Sequence, residues 1–90
     1  MLIISYDIKD DKVRNKFAKM LVKNGCIRLQ FSVYEFCNTN RRIENIKENI
    51  EHFFSSYFTE DDSVVIFDVD DDKTIKYGNA IHRDKDIIFL

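Results

Sequence analysis

The sequence predicts an α+β domain in which two helices cover one face of an antiparallel sheet. Three apolar, β-rich segments, LIISY, CIRLQFSVYEF and SVVIFDV, are separated by two amphipathic segments with helical periodicity. The 90-residue chain has no proline and no Ser/Gly-rich linker, which favours a single domain over residues 1–90. One sheet and one layer of helices are enough to enclose the core of such a chain.

The first strand and the first helix have the clearest signals. LIISY is a continuous apolar, β-branched run, typical of a central strand covered on both faces. Asp10 or Asp11 would cap the next helix, and either acid suits the positive end of its dipole. Gly25 would end this helix, because the position after a helix favours a residue that tolerates the left-handed conformation. The predicted apolar stripe of the helix consists of Val13, Phe17, Met20 and Leu21.

The second half of the chain repeats this order. CIRLQFSVYEF predicts either one long strand or two short strands that reverse near Gln30–Ser32. NTN (38–40) would cap a second helix, SVVIFDV is a further strand, and DIIFL (86–90) is a final strand. The expected apolar face of the second helix consists of Ile43, Ile46, Ile50, Phe53 and Phe54. The resulting order is that of a ferredoxin-like βαββαβ fold with an additional C-terminal strand.

Charge is distributed unevenly along the chain. Residues 1–56 carry ten Lys and Arg against seven Asp and Glu, whereas residues 57–90 carry four against nine, which leaves the net charge of −2. This division favours one basic surface and one acidic element.

The apolar runs are far shorter than the roughly 20 residues that cross a bilayer, so no membrane partner is expected. Two isolated cysteines, Cys26 and Cys37, are typical of a reducing cytoplasm.

Asp7 is the candidate for chemistry, because it ends the first strand just before a helix. Loops at such edges are exposed but rigidly supported, and often carry functional residues. The alternative is an Asx turn within DIKDD, and position alone favours that structural role. Mg²⁺ is usually held by one or two carboxylates with water and phosphate oxygens, so a lone Asp7 is an incomplete site. A twofold dimer that pairs two copies of Asp7 would complete it.

Two groups of basic residues are candidates for binding phosphate. A stripe along the first helix consists of Lys12, Lys16, Lys19 and Lys23. It would either follow a nucleic-acid backbone or lie over the core with its charges in water. Arg41 and Arg42 fall near the start of the second helix, where cations oppose the helix dipole. A bound phosphate would offset that cost, but so would solvent exposure and a local pair between Arg41 and Glu44.

Three stretches together, IISYDIKDDKVRNKFAKML, NGCIRLQFSVYEF and DSVVIFDV, resemble the CRISPR-associated protein two family. The resemblance covers all but the region after residue 70, where DIIFL still looks like the closing strand of that family. It implies a ferredoxin-like homodimer whose last strand extends the sheet of the partner. It also implies association with the CRISPR integrase and with double-stranded prespacer DNA, as part of spacer acquisition.

The resemblance also assigns roles to residues. Asp7 matches the first-strand aspartate, which is proposed to bind Mg²⁺ at the dimer interface and, in members described as nucleases, to be catalytic. Arg14, Lys16 and Arg28 occupy basic positions of the matching motifs and become candidates for phosphate contacts. Arg41 and Arg42 are added on the charge argument alone.

The chain departs from the family pattern in two places. SVYEFC lacks the glycine that often follows this strand, which leaves the geometry of the turn open. The acidic segment 68–72 would repel DNA, so we expect it away from the DNA-facing surface, where it would instead suit a basic patch on the integrase.

Three functions follow as hypotheses. The first is an adaptor that bridges integrase subunits and binds prespacer duplex. The second is a Mg²⁺-dependent endonuclease that acts on single-stranded RNA or duplex DNA through paired Asp7 residues. The third is a regulatory or RNA-binding domain that uses the face of its sheet, where aromatic side chains can stack bases, with Tyr34 as the residue to test.

Overall fold

The computed structural model describes residues 1–37 and 40–80. Its strands are β1 (Leu2–Asp7), β2 (Ile27–Gln30), β3 (Val33–Phe36) and β4 (Ser63–Asp68), and its helices are α1 (Asp11–Lys23) and α2 (Asn40–His52). The strands form one antiparallel sheet in the order β2-β3-β1-β4, which confirms the ferredoxin-like prediction. The expected closing strand at 86–90, and Asn38 and Thr39 of the expected cap, lie outside the described residues.

Strand β1 lies in the middle of the sheet and pairs along its length with β4 and in part with β3. Ile4 stands opposite Tyr34 on one side and Ile66 on the other, and all three pack into the core beneath the helices. Since side chains alternate between the two faces of a strand, Ser5 and Asp7 point to the opposite face, called here the open face. The open face consists of Ile3, Ser5, Asp7, Val33, Glu35, Ser63, Val65 and Phe67.

Helix α1 begins and ends as the sequence predicts. The Asp10 carboxylate accepts a hydrogen bond from the backbone N–H of Val13 at 3.0 Å, which caps the first turn. After the last turn, Gly25 takes a φ of 93°, and the backbone N–H of Cys26 donates to the carbonyl of Leu21 at 3.0 Å. This is the Schellman arrangement, in which a left-handed glycine lets the chain close the helix and enter β2.

The core is centred on Phe17, which is fully buried. Its ring lies 4.8 Å from that of Tyr6 in β1 and 5.1 Å from that of Phe54, both edge to face. Burying a phenylalanine contributes about 1.5–3 kcal/mol, and edge-to-face aromatic pairs add about 0.5–1.5 kcal/mol each. Phe17 therefore joins α1 both to the sheet and to the segment that follows α2.

The predicted apolar face of α2 is right for its helical part and wrong for Phe53. Ile46 is buried and Ile43 and Ile50 pack against the core, as expected. The helix ends at His52, however, and a one-turn 3-10 helix follows at Phe54–Tyr57. The α-helical spacing no longer decides which way a side chain points there. Phe54 is buried as predicted, whereas Phe53 is 43% exposed.

The segment CIRLQFSVYEF forms two short strands, the second of the two alternatives. The turn between them contains Ser32, with an unusual φ of 71°, so this hairpin reverses without a glycine. Tyr34 is only 5% exposed and lies beneath the helices. The hypothesis that Tyr34 stacks RNA bases on the open face is therefore wrong, because its ring is on the other side of the sheet.

After β4, the chain crosses the open face of its own sheet. Asp70 caps a one-turn helix at Asp71–Lys73, and Lys76 then forms an ion pair with Glu35, a buried residue of β3. Farther on, Tyr77 lies beside β2 at the opposite edge of the sheet. Among the described residues, no helix has the length and apolar character needed to cross a membrane.

Candidate nucleic-acid interface

Asp7 lies at the end of β1, opposite Ser63 of β4. Its side chain is 65% exposed, and both of its carboxylate oxygens lie 3.2 Å from Nζ of Lys9. No backbone N–H in the described ranges donates to this carboxylate, so the expected Asx turn does not form. Asp7 is held by no buried contact and faces solvent on the open face.

Asp62 and Arg14 fix the loop around Asp7. One oxygen of Asp62 accepts from the backbone N–H of Lys9 at 2.9 Å, and the other accepts from that of Thr59 at 2.8 Å. These two backbone donors lower the pKa of the Asp62 carboxyl below its ordinary value. From the other side, the Arg14 guanidinium donates to the carbonyl of Ile8 at 3.0 Å and pairs with Asp11.

One chain offers an incomplete site for Mg²⁺. Within residues 1–37 and 40–80, no three side chains of His, Cys, Asp or Glu come together in a way that could hold a metal ion. Asp62 is near in the fold, but both of its oxygens already accept backbone hydrogen bonds. An exposed carboxylate suits Mg²⁺ as one ligand of an octahedral shell. Asp7 fits the ion as one carboxylate ligand, and a second copy of the chain would supply another.

A second feature is a groove of about 780 Å³ between α1 and α2, called here the interhelical groove. Its basic lining residues are Lys16, Lys19, Lys23, Arg41 and Arg42. The other residues that line it are Met20, Asn24, Asn45, Asn49, Phe53 and Phe54. Five cations and no acidic side chain line this groove, so its potential is strongly positive.

These cations are not neutralised within the part of the chain that the structure describes. The ion pairs found there involve other basic residues, and none of the five groove cations takes part in one. The suggested pair between Arg41 and Glu44 is wrong, because Glu44 instead lies 3.7 Å from Lys47, on the next turn of α2. The first turn of α2 also contains no acid to favour its dipole. A polyanion in the groove would reduce both the repulsion among these cations and the unfavourable interaction of the arginines with the helix dipole.

Arg14 and Arg28 line a smaller cavity of about 130 Å³, together with Tyr6, Ser32 and Tyr34. The Arg28 guanidinium lies 5.4 Å from the centre of the Phe31 ring, within the range of a cation–π contact. Burial, with the Tyr34 hydroxyl beside it, raises the pKa of Tyr6 to about 12, so this hydroxyl stays protonated at neutral pH. The predicted basic residues thus divide between two places, and Asp7 lines neither.

Comparison with known proteins decides the family. The family model described as CRISPR associated protein Cas2 matches residues 1–76. The chain belongs to the Cas2 family. The family thus accounts for most of the described sheet and both helices, and it establishes a CRISPR-associated role.

Curated relatives in this family come from the archaeon Methanospirillum hungatei. The chain is 37% identical over 54 residues to its CRISPR-associated endoribonuclease Cas2 1, in a match that covers 60% of this chain and 57% of the relative. It is 33% identical over 69 residues to CRISPR-associated endoribonuclease Cas2 2, covering 76% and 71%. The match to the first relative therefore spans little more than half of that protein.

Solved structures agree on the fold. A hypothetical protein from Thermus thermophilus, TT1823, superposes with a TM-score of 0.63 at 29% identity, covering 77% of this chain and 79% of that one. Streptococcus pyogenes Cas2, crystallised at pH 6.5, gives a TM-score of 0.62 at 23% identity, covering 86% and 98%. At that level of identity, the likeness to the Streptococcus protein shows the Cas2 fold alone.

Sequence reasoning missed part of the interhelical groove. It noted the lysine stripe but did not select Lys19 and Lys23 as site residues, and it assigned Phe53 to the core. The available signal was the four-residue spacing of Arg41, Asn45 and Asn49, which places them on one face of α2. Whether that stripe faces the lysines of α1 depends on how the two helices are placed relative to each other. The sequence alone does not give that placement.

We predict that Asp62→Asn lowers the thermal unfolding midpoint at neutral pH, because the amide has one acceptor oxygen and leaves one of the two backbone N–H donors without a partner. A carboxyl whose pKa is lowered on folding stabilises the fold above its unfolded pKa of about 3.8, and this contribution disappears as the pH falls through the folded value. The difference between wild type and variant should therefore shrink on acidification, in a series of melts from about pH 7 to about pH 3. The matched control is Asp61→Asn, which should behave as wild type throughout; a gap for Asp62→Asn that widens in acid would contradict the assignment.

Proposed function

We propose that this Cas2-family chain is a subunit of CRISPR spacer acquisition, a homodimer that bridges integrase subunits and binds prespacer duplex DNA. The observation that carries the proposal is the interhelical groove, where five cations lie together without ion-pair partners among residues 1–37 and 40–80. Phosphate contacts of this kind release counterions and supply sequence-independent affinity for nucleic acid. Such binding suits a protein that must accept DNA of any sequence.

The open face supports a homodimer. Val65 and Phe67 of β4 are 45% and 51% exposed there, and Ile27 at the edge of the sheet is 44% exposed. Half-exposed apolar side chains on one face of a small domain favour association with another surface. Asp7 lies on the same face, so a twofold contact between two open faces would bring both copies of Asp7 to the interface.

The acidic segment supports a protein partner. Asp70, Asp71 and Asp72 are exposed and follow β4, on a different element from the groove cations. This separation keeps their charge from opposing DNA in the groove. A basic surface on the integrase is the partner that their charge favours, since complementary charge selects the correct partner and speeds encounter.

We predict salt-sensitive binding of blunt duplex DNA that weakens when the phosphate contacts are removed. In fluorescence anisotropy, the affinity of wild type should fall steeply from about 50 to about 200 mM salt. In the triple variant Arg28→Gln, Arg41→Gln and Arg42→Gln, the plot of log affinity against log salt should lose about 0.9 of slope for each contact removed.

The control removes the same charge elsewhere. Lys12→Gln, Lys47→Gln and Lys73→Gln replace three exposed lysines that do not line the groove. Lys12 belongs to the predicted stripe of α1, but the structure leaves it outside the groove. This triple variant should keep the slope of wild type. Duplex binding that ignores salt, or that responds equally to both triple variants, would exclude these residues as phosphate contacts.

The second candidate function is a Mg²⁺-dependent endonuclease acting on single-stranded RNA or duplex DNA. Two observations favour it: Asp7 is exposed on the open face, and the Methanospirillum hungatei relatives carry the name endoribonuclease. Asp7 of each of two copies would hold the ion and act as the catalytic carboxylate. Mg²⁺ bound there would polarise a phosphoryl oxygen and activate water.

This alternative predicts that Asp7→Asn and a chelator abolish cleavage equally, in an assay of both substrates with Mg²⁺. Asp61→Asn, which makes the same change at an exposed residue after α2, should retain full activity. Cleavage that survives Asp7→Asn would arise from a contaminant or from another site. No cleavage by any variant would leave the adaptor function as the sole proposal.

A further inference from the structure

We infer that the interhelical groove is a site for an unpaired nucleic-acid strand, with Phe53 as the platform on which a base stacks. The inference rests on the proposed function for the kind of ligand, nucleic acid, and adds that this groove also takes an unpaired strand, which a base contact with Phe53 distinguishes from a duplex. It is a second mode of binding, distinct from the phosphate contacts that a duplex makes and from chemistry at Asp7.

The aromatic component is in place. The Phe53 ring is 43% exposed although it lies among aromatic neighbours, 4.9 Å from Phe54 and 5.3 Å from Tyr57 between ring centres. These contacts hold the ring and lower the entropy that it would lose on binding. A supported but exposed ring beside a row of cations is the combination that single-strand binding proteins use, since every base has a face that can stack.

The polar lining suits nucleotides better than an acidic peptide. Asn45 and Asn49 lie on the groove one helical turn apart, between the arginines at the start of α2 and Phe53 after its end. The Asn49 amide donates to the carbonyl of Asn45 at 2.8 Å, which leaves its side-chain oxygen as an acceptor. The asparagine side chains can both donate hydrogen bonds to the edge of a base and accept them from it. An acidic peptide would use the cations of the groove but would have less use for these amides.

The size of the groove and the position of Phe53 suit an unpaired strand. Lys16 and Lys23 are seven residues apart on α1, so the row of lysines extends for roughly 10 Å. The volume of about 780 Å³ falls within the range of sites that enclose small ligands, about 300–1,000 Å³. A duplex can place phosphates on these cations, but it cannot turn a base onto Phe53, because its bases are paired inside. An unpaired strand can place phosphates on the cations and turn a base onto Phe53.

The test measures binding of labelled oligothymidine, an abasic strand of the same length and a blunt duplex to the full chain. Phe53→Leu should weaken oligothymidine binding about tenfold, as expected for the loss of one stacked base, and leave the abasic strand and the duplex unchanged. Lys19→Gln with Lys23→Gln should weaken both single strands. The controls are Tyr77→Leu, at an exposed ring that does not line the groove, and Lys47→Gln with Lys73→Gln. Both should leave single-strand binding as in wild type.

Each outcome is decisive. Equal losses on oligothymidine and on the abasic strand with Phe53→Leu, or no loss on either, would overturn the inference. Losses that the control variants reproduce would overturn it as well. If wild type binds duplex DNA but the groove variants bind single strands as wild type does, the proposed function stands and the second mode of binding is refuted. If single-strand binding depends on Phe53 but the protein does not bind duplex DNA, the second mode stands and the proposed duplex binding is refuted. A matched oligouridine shows whether DNA or RNA is the tighter ligand.

Discussion

The pairing of β1 with neighbours on both sides is the constraint from which the rest of the molecule follows. Hydrogen bonding to β3 and β4 fixes its register, and the alternation of its side chains then separates a core face from an open face. A slip of one residue would turn Ile4 towards solvent and Asp7 towards the helices. Burial of Ile4 and Tyr6 therefore determines where Asp7 points, although Asp7 makes no contact in the core.

Apolar packing around Phe17 and Ile46 holds the helices over the core face, and that packing sets the charged surface. Phe17 contacts both Tyr6 and Phe54, so α1 is tied to the sheet and to the segment after α2. The two helices thereby present their basic residues to one groove, although like charges repel. The free energy gained in the core outweighs this repulsion, which exposure to water weakens. The groove therefore attracts anions, and this attraction contributes nothing to the stability of the fold.

The fold was largely predictable, because its signals are local. Alternation, helical stripes, the Asp10 cap and the left-handed Gly25 all act within a few residues of one another. The hairpin at Ser32 was ambiguous, since a residue other than glycine adopts the left-handed conformation there. Phe53 was placed wrongly because the helix stops one residue before it, and helix ends are the least certain part of a pattern.

The candidate site was less predictable than the fold. Resemblance and charge selected Lys16, Arg41 and Arg42, but their meeting in one groove depends on contacts between distant parts of the chain. Arg14 was expected to contact phosphate, and the structure shows that its guanidinium also holds the loop after β1. A basic residue in a motif can serve the fold and the ligand together, and sequence alone does not separate these roles.

Sedimentation velocity, on the chain alone and with a short blunt duplex, measures whether the protein is a homodimer that binds DNA. We expect twice the mass of one chain in the absence of DNA, and a complex of two chains per duplex at low salt. Phe67→Lys, which places a charge on the apolar open face, should shift the free protein towards the mass of one chain. A wild type that sediments as one chain with and without DNA would contradict the homodimer, and with it both the adaptor function and the paired Asp7 site.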